Sequence, residues 1–198
     1  MTATVLRADD ARAPTLLTGG WRVVGESWGA RLRLDEPPDL ARFERLVERA
    51  RRTAEIRELH VTEAAAIATL EADTHADFPV TPATPHHLRD AAATAALLRA
   101  GFRAFGAVLQ GRLLAVTIVR AEGESAETDV TAVTRDARRQ GLAAGVKAAS
   151  VLVLAAEGVR TFGTGGAAIN AGSLAMNRAV GYTVEERWLS LAPPADGA

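Results

Sequence analysis

The stretch from Thr128 to Glu157 constrains the fold most, because it joins three kinds of local structure in a fixed order. Residues 128–133 are rich in β-branched side chains and predict a strand, which a polar, arginine-rich loop follows. A long apolar helix is predicted from about residue 140 to 157, and Gly158 supplies its terminating glycine. The first N–H groups of such a helix lack partners and carry the positive end of the helix dipole. The sequence therefore predicts a binding site for a phosphate group at this helix start.

Composition excludes several classes of protein. The net charge of −1 argues against a dedicated nucleic-acid-binding protein, and no nucleic acid partner is expected. The absence of cysteine excludes disulfides, thiolate metal sites and a cysteine nucleophile. No apolar run reaches the roughly 20 residues of a membrane span, and Asp9 and Asp10 interrupt any secretory signal. We therefore expect a cytoplasmic protein without a membrane partner.

The N-terminal part of the chain predicts a strand pair and a helix. Residues 21–34 contain two short alternating stretches around Gly25 and Gly29, which is typical of a β-hairpin. Asp39 is placed to cap a helix that continues to about Arg52. We predict a division of the chain into residues 1–53, a main domain of residues 54–192, and a flexible tail of residues 193–198.

The main domain begins with a predicted strand at residues 55–60 and a helix at residues 62–72. Thr84 and Pro85 are a suitable N-cap and first-turn pair for a second helix that runs to about Ala100. Two apolar runs joined at Gln110-Gly111 then predict a hairpin. With the strand of residues 128–133, these runs form a predicted three-stranded meander.

The elements after the long helix complete the predicted order. They are a strand at residues 159–164, a glycine-rich loop, a helix at residues 173–179 and a strand at residues 184–191. Helices alternating with strands, together with an antiparallel meander, indicate an α/β (α+β) protein.

The loop sequence RRQGLA, from Arg138 to Ala143, resembles the Gln/Arg-x-x-Gly-x-Gly/Ala motif of the GCN5-related N-acetyltransferases (GNAT). Arg138, Gly141 and Ala143 fill its defining positions, and Gly141 lets the loop backbone approach a pyrophosphate closely. The resemblance implies a GNAT fold, with a central mixed, mostly antiparallel sheet flanked by helices. It also implies that acetyl-CoA, as co-substrate, lies between the strand before the motif and the strand near Phe162. The N–H near Val133 would then polarise the thioester carbonyl.

A second matching segment runs from Asn170 to Tyr182, NAGSLAMNRAVGY. Asn170, Ser173 and the pair Gly181-Tyr182 fit the family pattern, in which the asparagine and the helix start contact the pantetheine arm or nearby backbone. Tyr182 itself is predicted to be a packed core residue. The cofactor-binding residues implied by both segments are Val133, Arg138, Arg139, Gln140, Gly141, Leu142, Ala143, Ala144, Asn170 and Ser173.

The sequence departs from the family at Asn177, where a tyrosine often protonates the departing thiolate. An amide cannot act as a general acid. An amine acceptor must also lose a proton, and Glu127 and Asp129 are the best placed carboxylates for catalysis. The implied function is acetyl transfer to the amine of a small-molecule or protein acceptor by direct attack in a ternary complex. The alternative is a non-catalytic acyl-CoA-binding sensor or scaffold on the same fold.

Within the superfamily, the runs GLAAGVK and FGTGG and the spacing from Asn170 to Asn177 are similar to the actinobacterial, mycothiol-synthase-like branch. Proteins of that branch are often tandem duplications. We therefore interpret residues 1–53 as a possible remnant of a truncated first copy. The only reason to expect a homodimer is that dimers are the commonest assemblies of soluble proteins.

Two other kinds of phosphate-binding motif were considered, and neither has the sequence context that it needs. GTGGAA, at residues 163–168, matches a dinucleotide fingerprint with Glu185 and Glu186 at a suitable distance, but a Rossmann domain needs further βα units after it. Lys147, the single lysine, does not follow a glycine loop in a phosphate-binding context.

Histidine and aspartate residues raise the possibility of a metal site. Asp73, His75 and Asp77 alternate in one loop, and His86 and His87 precede a predicted helix. Alternation in a loop does not fix a coordination sphere, so we expect no metal there. In the family this region lines the acceptor entrance, and these residues would then touch substrate.

Overall fold

The chain forms one eight-stranded sheet with helices on both faces, in a computed structural model that describes residues 3–85 and 87–194. The strands are β1 (Thr4–Arg7), β2 (Arg22–Arg33), β3 (Glu55–Leu59), β4 (Phe102–Leu109), β5 (Arg112–Glu122), β6 (Ser125–Val133), β7 (Thr161–Ala167) and β8 (Thr183–Ala192). Their order across the sheet is β1-β8-β2-β7-β6-β5-β4-β3. The β6–β7 pair is parallel and the other pairs are antiparallel. The mixed, mostly antiparallel sheet confirms the predicted fold class.

The helices divide between the two faces of the sheet. They are α1 (Arg12–Thr18), α2 (Ala41–Arg51), α3 (Ala64–Thr74), α4 (Ala91–Arg99), α5 (Leu142–Ala156) and α6 (Ala171–Val180). Helices α2, α5 and α6 pack on one face around Phe105 and Phe162, and α3 and α4 contribute to the other around Ile67 and Ile118. In the parts of the chain that the structure describes, no helix is long and apolar enough to cross a membrane.

The central meander of β4, β5 and β6 confirms the sequence prediction. Gln110 has φ 50° and Gly111 has φ 79°, which is the conformation of a tight type I′ hairpin turn. Helix α5 is also confirmed, although it begins two residues later than predicted. Gly158, with φ 100°, follows its last turn as expected.

The predicted hairpin at residues 21–34 is wrong, because β2 is one continuous strand of 12 residues. Neither Gly25 nor Gly29 has a positive φ. Instead, both glycines admit close neighbours: a Cβ on Gly29 would lie 2.7 Å from a carboxylate oxygen of Glu186. Strand β2 lies between β7 and β8, so the first 53 residues supply strands to the common sheet. The division of the chain at residue 53 stays a prediction.

The second helix of the main domain begins later than predicted. Helix α4 starts at Ala91, and Asp90 caps it by accepting the N–H of Ala93 at 2.7 Å. The Thr84 hydroxyl is not a helix cap, because it shares a 2.7 Å hydrogen bond with Thr81 in a local turn. His86 lies outside the described residues.

The predicted glycine-rich loop is strand β7. Its glycines allow close approach across the sheet: a Cβ on Gly163 would meet the Glu127 carboxylate, and one on Gly166 would lie 2.9 Å from the Trp28 ring. A dinucleotide fingerprint needs these glycines in a turn between strand and helix. The dinucleotide-binding alternative therefore loses its structural basis.

Candidate active site

Strands β6 and β7 separate after a short paired region and leave a gap in the sheet. Their parallel pairing joins Ser125–Glu127 to Thr161–Gly163. Beside the gap lie an outer cavity of about 550 Å³ and an inner cavity of about 310 Å³. The two cavities adjoin, since both are lined by Phe78, Thr131, Asn170, Ser173 and Met176. The gap therefore has two neighbouring cavities beside it.

The N-terminus of α5 opens into the outer cavity. Gly141, the N-cap residue, has φ 83°, a conformation that glycine adopts without a Cβ penalty. No side chain caps this helix, and the first N–H returned within it is that of Gly145, to the Gly141 carbonyl at 2.9 Å. The backbone donors of the first turn and the helix dipole therefore face the cavity wall formed by Gly141 and Ala143.

Val133 presents its backbone to the same cavity. The Thr134 N–H donates to the Leu114 carbonyl of β5 at 2.9 Å. Because adjacent residues of a strand direct their polar groups to opposite sides, the N–H and carbonyl of Val133 point into the gap. The carbonyl accepts from Arg138 Nε at 3.3 Å, which agrees with this direction. The N–H of Val133 is therefore placed as a donor towards the cavity.

Nine of the ten residues that the resemblance assigned to the cofactor line the outer cavity. The exception is Gln140, whose Nε2 donates to the Asp136 carbonyl at 3.3 Å. Asn170 also has a local structural role, since its Oδ1 accepts the Ser173 N–H at 3.0 Å and caps α6. Their function in cofactor binding stays a prediction.

Asp77 lines the outer cavity and pairs with Arg138 of the motif and with Arg135, which precedes the motif. Its carboxylate accepts from Arg138 Nη2 at 2.5 Å and from Arg135 Nη2 at 2.8 Å. Arg135 first and then Arg138 lower the pKa of Asp77 to about 2. The sequence analysis considered Asp77 as a metal ligand and expected no metal there. Within residues 3–85 and 87–194, no group of three or more acidic or histidine side chains is arranged to hold a metal ion. Asp77 instead acts as a fixed anion beside an anion-binding helix start.

Removing that anion is expected to strengthen acyl-CoA binding. Asp77→Asn frees Arg135 and Arg138 for phosphate oxygens and removes a like charge from the cavity wall, so we expect affinity for CoA to rise about two- to fivefold. The gain is expected to shrink at high salt, because these groups are exposed. Isothermal titration calorimetry at two ionic strengths measures both effects. Unchanged or weaker binding by Asp77→Asn would show that Arg135 and Arg138 do not meet the phosphates.

The two predicted catalytic carboxylates lie in different surroundings. Asp129 lines the inner cavity and accepts from Arg89 Nη1 at 2.6 Å. Glu127 lines neither cavity; its Oε1 is 3.5 Å from Arg31 Nη2, and 60% of its side chain is exposed. The structure thus brings Asp129, and not Glu127, to the cavity wall. The catalytic roles of both residues stay predictions.

Lys147 is a site residue that sequence reasoning missed. Its side chain is buried within α5 and lines the inner cavity. Nζ donates to Thr164 Oγ1 at 2.9 Å and lies 4.6 Å from the centroid of the Tyr182 ring. Burial lowers the pKa of Lys147 from 10.5 to about 7, against the opposing charge of Glu127. The available signal was a single lysine in the middle of an apolar helix.

Asn177 also lines the inner cavity, and one of its polar atoms has no hydrogen-bond partner. It is 2% exposed, and its Nδ2 donates to the Ser173 carbonyl at 3.0 Å. A carbonyl can only accept, so this bond fixes the orientation of the amide. Oδ1 is buried without a hydrogen-bond partner. Tyr182 is 4% exposed, which confirms its predicted place in the core.

A larger cavity of about 1090 Å³ lies elsewhere, between the start of β8, α6 and β2. Its lining includes Trp28, Arg42 and Arg178 and none of the predicted site residues. The predicted site residues that line a cavity therefore all lie at the two smaller cavities.

No family model and no curated protein matches the sequence. Among solved structures, a GCN5-related N-acetyltransferase from Sphaerobacter thermophilus is similar over 96% of this chain, with a TM-score of 0.68 and 15% identity. This chain spans only 59% of that protein. A GCN5-related N-acetyltransferase from Kribbella flavida matches 98% of this chain and 68% of its own, with a TM-score of 0.61 and 18% identity.

A shorter protein is also similar. The ribosomal-protein-S18-alanine N-acetyltransferase from Escherichia coli matches 74% of this chain and 96% of its own, with a TM-score of 0.53 and 21% identity. At these identities the comparisons establish the architecture alone. The gap between β6 and β7, the open start of α5 and these similarities agree, and the chain has the GNAT fold.

Proposed function

We propose that this chain is an acyl-CoA-dependent N-acetyltransferase, which transfers an acetyl group from acetyl-CoA to an amine by direct attack in a ternary complex. One observation carries the proposal: the uncapped start of α5 and the inward-facing N–H of Val133 meet at one cavity. These two features match the two ends of acetyl-CoA, which are an anionic diphosphate and a polarisable thioester. The solved structures of similar fold, described as N-acetyltransferases, support the same reading.

The diphosphate end would lie against Gly141 and Ala143. The N–H groups of the first turn, the positive helix end and the guanidinium of Arg138 together favour an anion there. Gly141 has no Cβ, so no side chain there keeps the phosphate oxygens away from the backbone N–H groups. Arg138 must exchange its bond with Asp77 for one with the ligand.

The thioester end would lie beside Val133, whose N–H stabilises negative charge that develops on the carbonyl oxygen. The acceptor amine would enter through the inner cavity, where Asp129 offers a carboxylate and Asn177 a free carbonyl oxygen. Both groups accept hydrogen bonds and therefore suit an amine. The volume of about 310 Å³ suits a small amine or the end of a side chain rather than a bulky molecule.

Binding and turnover test the proposal in sequence. Titration calorimetry with acetyl-CoA is expected to show binding at one site. Thiol release is then measured with a panel of small primary amines, arylamines, amino sugars, peptide N-termini and peptide lysines. At least one amine is expected to raise the rate above hydrolysis. Absence of acetyl-CoA binding would contradict the proposal at its first step.

The second candidate is a sensor or scaffold that binds acyl-CoA without turnover. Asn177 favours it, because the family often has a tyrosine at this position that acts as the general acid. The Nδ2 of Asn177 already donates to the Ser173 carbonyl. Tight binding of acetyl-CoA with no accelerated thiol release from any amine would support this candidate. Turnover with a single amine would exclude it.

The finer ancestry is also a proposal. We infer that the chain derives from the actinobacterial, mycothiol-synthase-like branch and that residues 1–53 are the remnant of a first copy. In this proposal the remnant is retained because its strand β2 completes the sheet between β7 and β8.

A further inference from the structure

We propose that the ammonium group of Lys147 is the acid that protonates the departing thiolate, a role that rests on the proposed acetyltransferase function. Lys147 lines the inner cavity, which adjoins the outer cavity at Thr131 and Ser173. In this step the acceptor nitrogen forms a bond to the thioester carbonyl carbon, and the C–S bond breaks with its electron pair on sulfur. A proton moves from Nζ to that sulfur. The proton lost by the acceptor nitrogen goes to solvent, and a proton taken up from solvent then restores the ammonium of Lys147.

The contacts of Lys147 leave it free to act. Among residues 3–85 and 87–194, Nζ makes one hydrogen bond, to Thr164 Oγ1, and no carboxylate lies within ion-pair distance. An ammonium group has three N–H donors. One is committed to Thr164 and one side of the group faces the Tyr182 ring, so donor capacity remains for the cavity.

Burial lowers the pKa of Lys147, and the surrounding charges act against it. Burial lowers its pKa to about 7, and Glu127 on β6 opposes that shift. Glu127 is itself 3.5 Å from Arg31 on β2, and Asp129, across the inner cavity, is bound to Arg89. A thiol has an unperturbed pKa of about 8.5, so proton transfer from Lys147 to a thiolate is downhill.

The other donors near Lys147 are poor acids. Asn177 is an amide, and its Nδ2 is bound to the Ser173 carbonyl. Burial raises the pKa of Tyr182, so this hydroxyl gives up its proton less readily than an ordinary tyrosine. Lys147 therefore supplies the proton donor that the sequence lacks at position 177.

The single lysine allows a direct test on the unmodified protein. In the full chain labelled with [13Cε]lysine, one resonance is expected, because Lys147 is the only lysine. Its titration is expected to show a pKa near the value of about 7 that burial produces. A lysine that titrates near 10.5 would overturn the proposal, because it could not release its proton readily at neutral pH.

Stability gives a second readout of the same titration. The folded-state pKa lies below the unfolded-state value, so the unfolded chain binds more protons between about pH 7 and pH 10.5. Unfolding midpoints of the wild type are therefore expected to rise with pH across this window relative to those of Lys147→Met. Parallel pH profiles would show that Lys147 is not buried as a weak base.

Turnover tests the catalytic role. With acetyl-CoA and an arylamine that is already neutral at pH 6, kcat of the wild type is expected to fall as the pH rises through the pKa of Lys147. The kcat of Lys147→Met is expected to be about 100-fold lower and no longer to fall as the pH rises, while the variant still binds acetyl-CoA. We call this fall of kcat at high pH the alkaline limb. Thr164→Val removes the acceptor that favours the charged form, so its alkaline limb is expected at lower pH.

The outcomes separate this role from the proposed function. No acetyl-CoA binding, or no thiol release by the wild type, contradicts the acetyltransferase function and Lys147 with it. Turnover by the wild type that survives in folded Lys147→Met with an unchanged pH profile contradicts the role of Lys147 alone. If Lys147→Met does not fold, the lysine titration and the Thr164→Val limb decide the question.

Discussion

Ala143→Glu is expected to lower the affinity for acetyl-CoA by about 100-fold, which corresponds to about 2.8 kcal/mol. Residue 143 lies in the first turn of α5 and lines the outer cavity. A carboxylate there would lie where the diphosphate is proposed to bind, so it would repel the ligand and compete for the same N–H groups. Titration calorimetry with acetyl-CoA measures the loss.

A matched control separates charge from bulk. Ala143→Gln adds nearly the same volume without charge, so its loss of affinity is expected to be much smaller than that of Ala143→Glu. The acidic variant is expected to unfold at the same temperature or higher, because a carboxylate in the first turn of a helix is stabilising by about 0.3 to 1 kcal/mol. Equal losses in both variants would mean that Ala143 only contributes shape.

The second large effect concerns the charged cluster behind Asp129. Arg89 Nη2 donates to Glu71 Oε1 at 2.5 Å, and the Glu71 side chain is fully buried. Arg89→Met would leave that carboxylate buried without a partner, so we expect a loss of about 3 kcal/mol in the free energy of unfolding. Urea denaturation measures the loss.

A double variant tests the cause of that loss. Glu71→Leu combined with Arg89→Met removes both buried charges, and most of the stability is expected to return. Arg112→Met, which breaks an exposed pair with Asp136, serves as the control and is expected to change stability little. If the double variant is as unstable as Arg89→Met, packing rather than charge explains the effect.

Local patterns were enough to predict the centre of the fold. The Gln110-Gly111 turn and the helix that ends before Gly158 depend on backbone preferences of neighbouring residues, and both have the predicted form. The hairpin predicted at residues 21–34 was wrong because the glycines of β2 do not form turns. They allow close contacts with residues distant in the chain, such as that of Gly29 with Glu186. Alternation within residues 21–34 contains no information about those neighbours.

The candidate site shows the same limit. The motif and its helix start are contiguous in the chain, so the outer cavity wall could be predicted from Arg138 to Ala143. Asp77 reaches Arg138 across 61 residues. Lys147 gains its unusual environment only when Thr164 and Tyr182 pack around it. Charge and burial that arise from such long-range contacts have no local signature.

The central claim is that one cavity binds both ends of acetyl-CoA, and amide NMR tests it most directly. In a titration of the 15N-labelled chain with CoA and then with acetyl-CoA, the amide resonances of Gly141, Ala143 and Ala144 are expected to shift with both ligands. The amide of Val133 is expected to shift further with acetyl-CoA, because only that ligand carries the thioester. Shifts clustered around Trp28 and Arg178 in the larger cavity, or no shifts in the first turn of α5, would contradict the account.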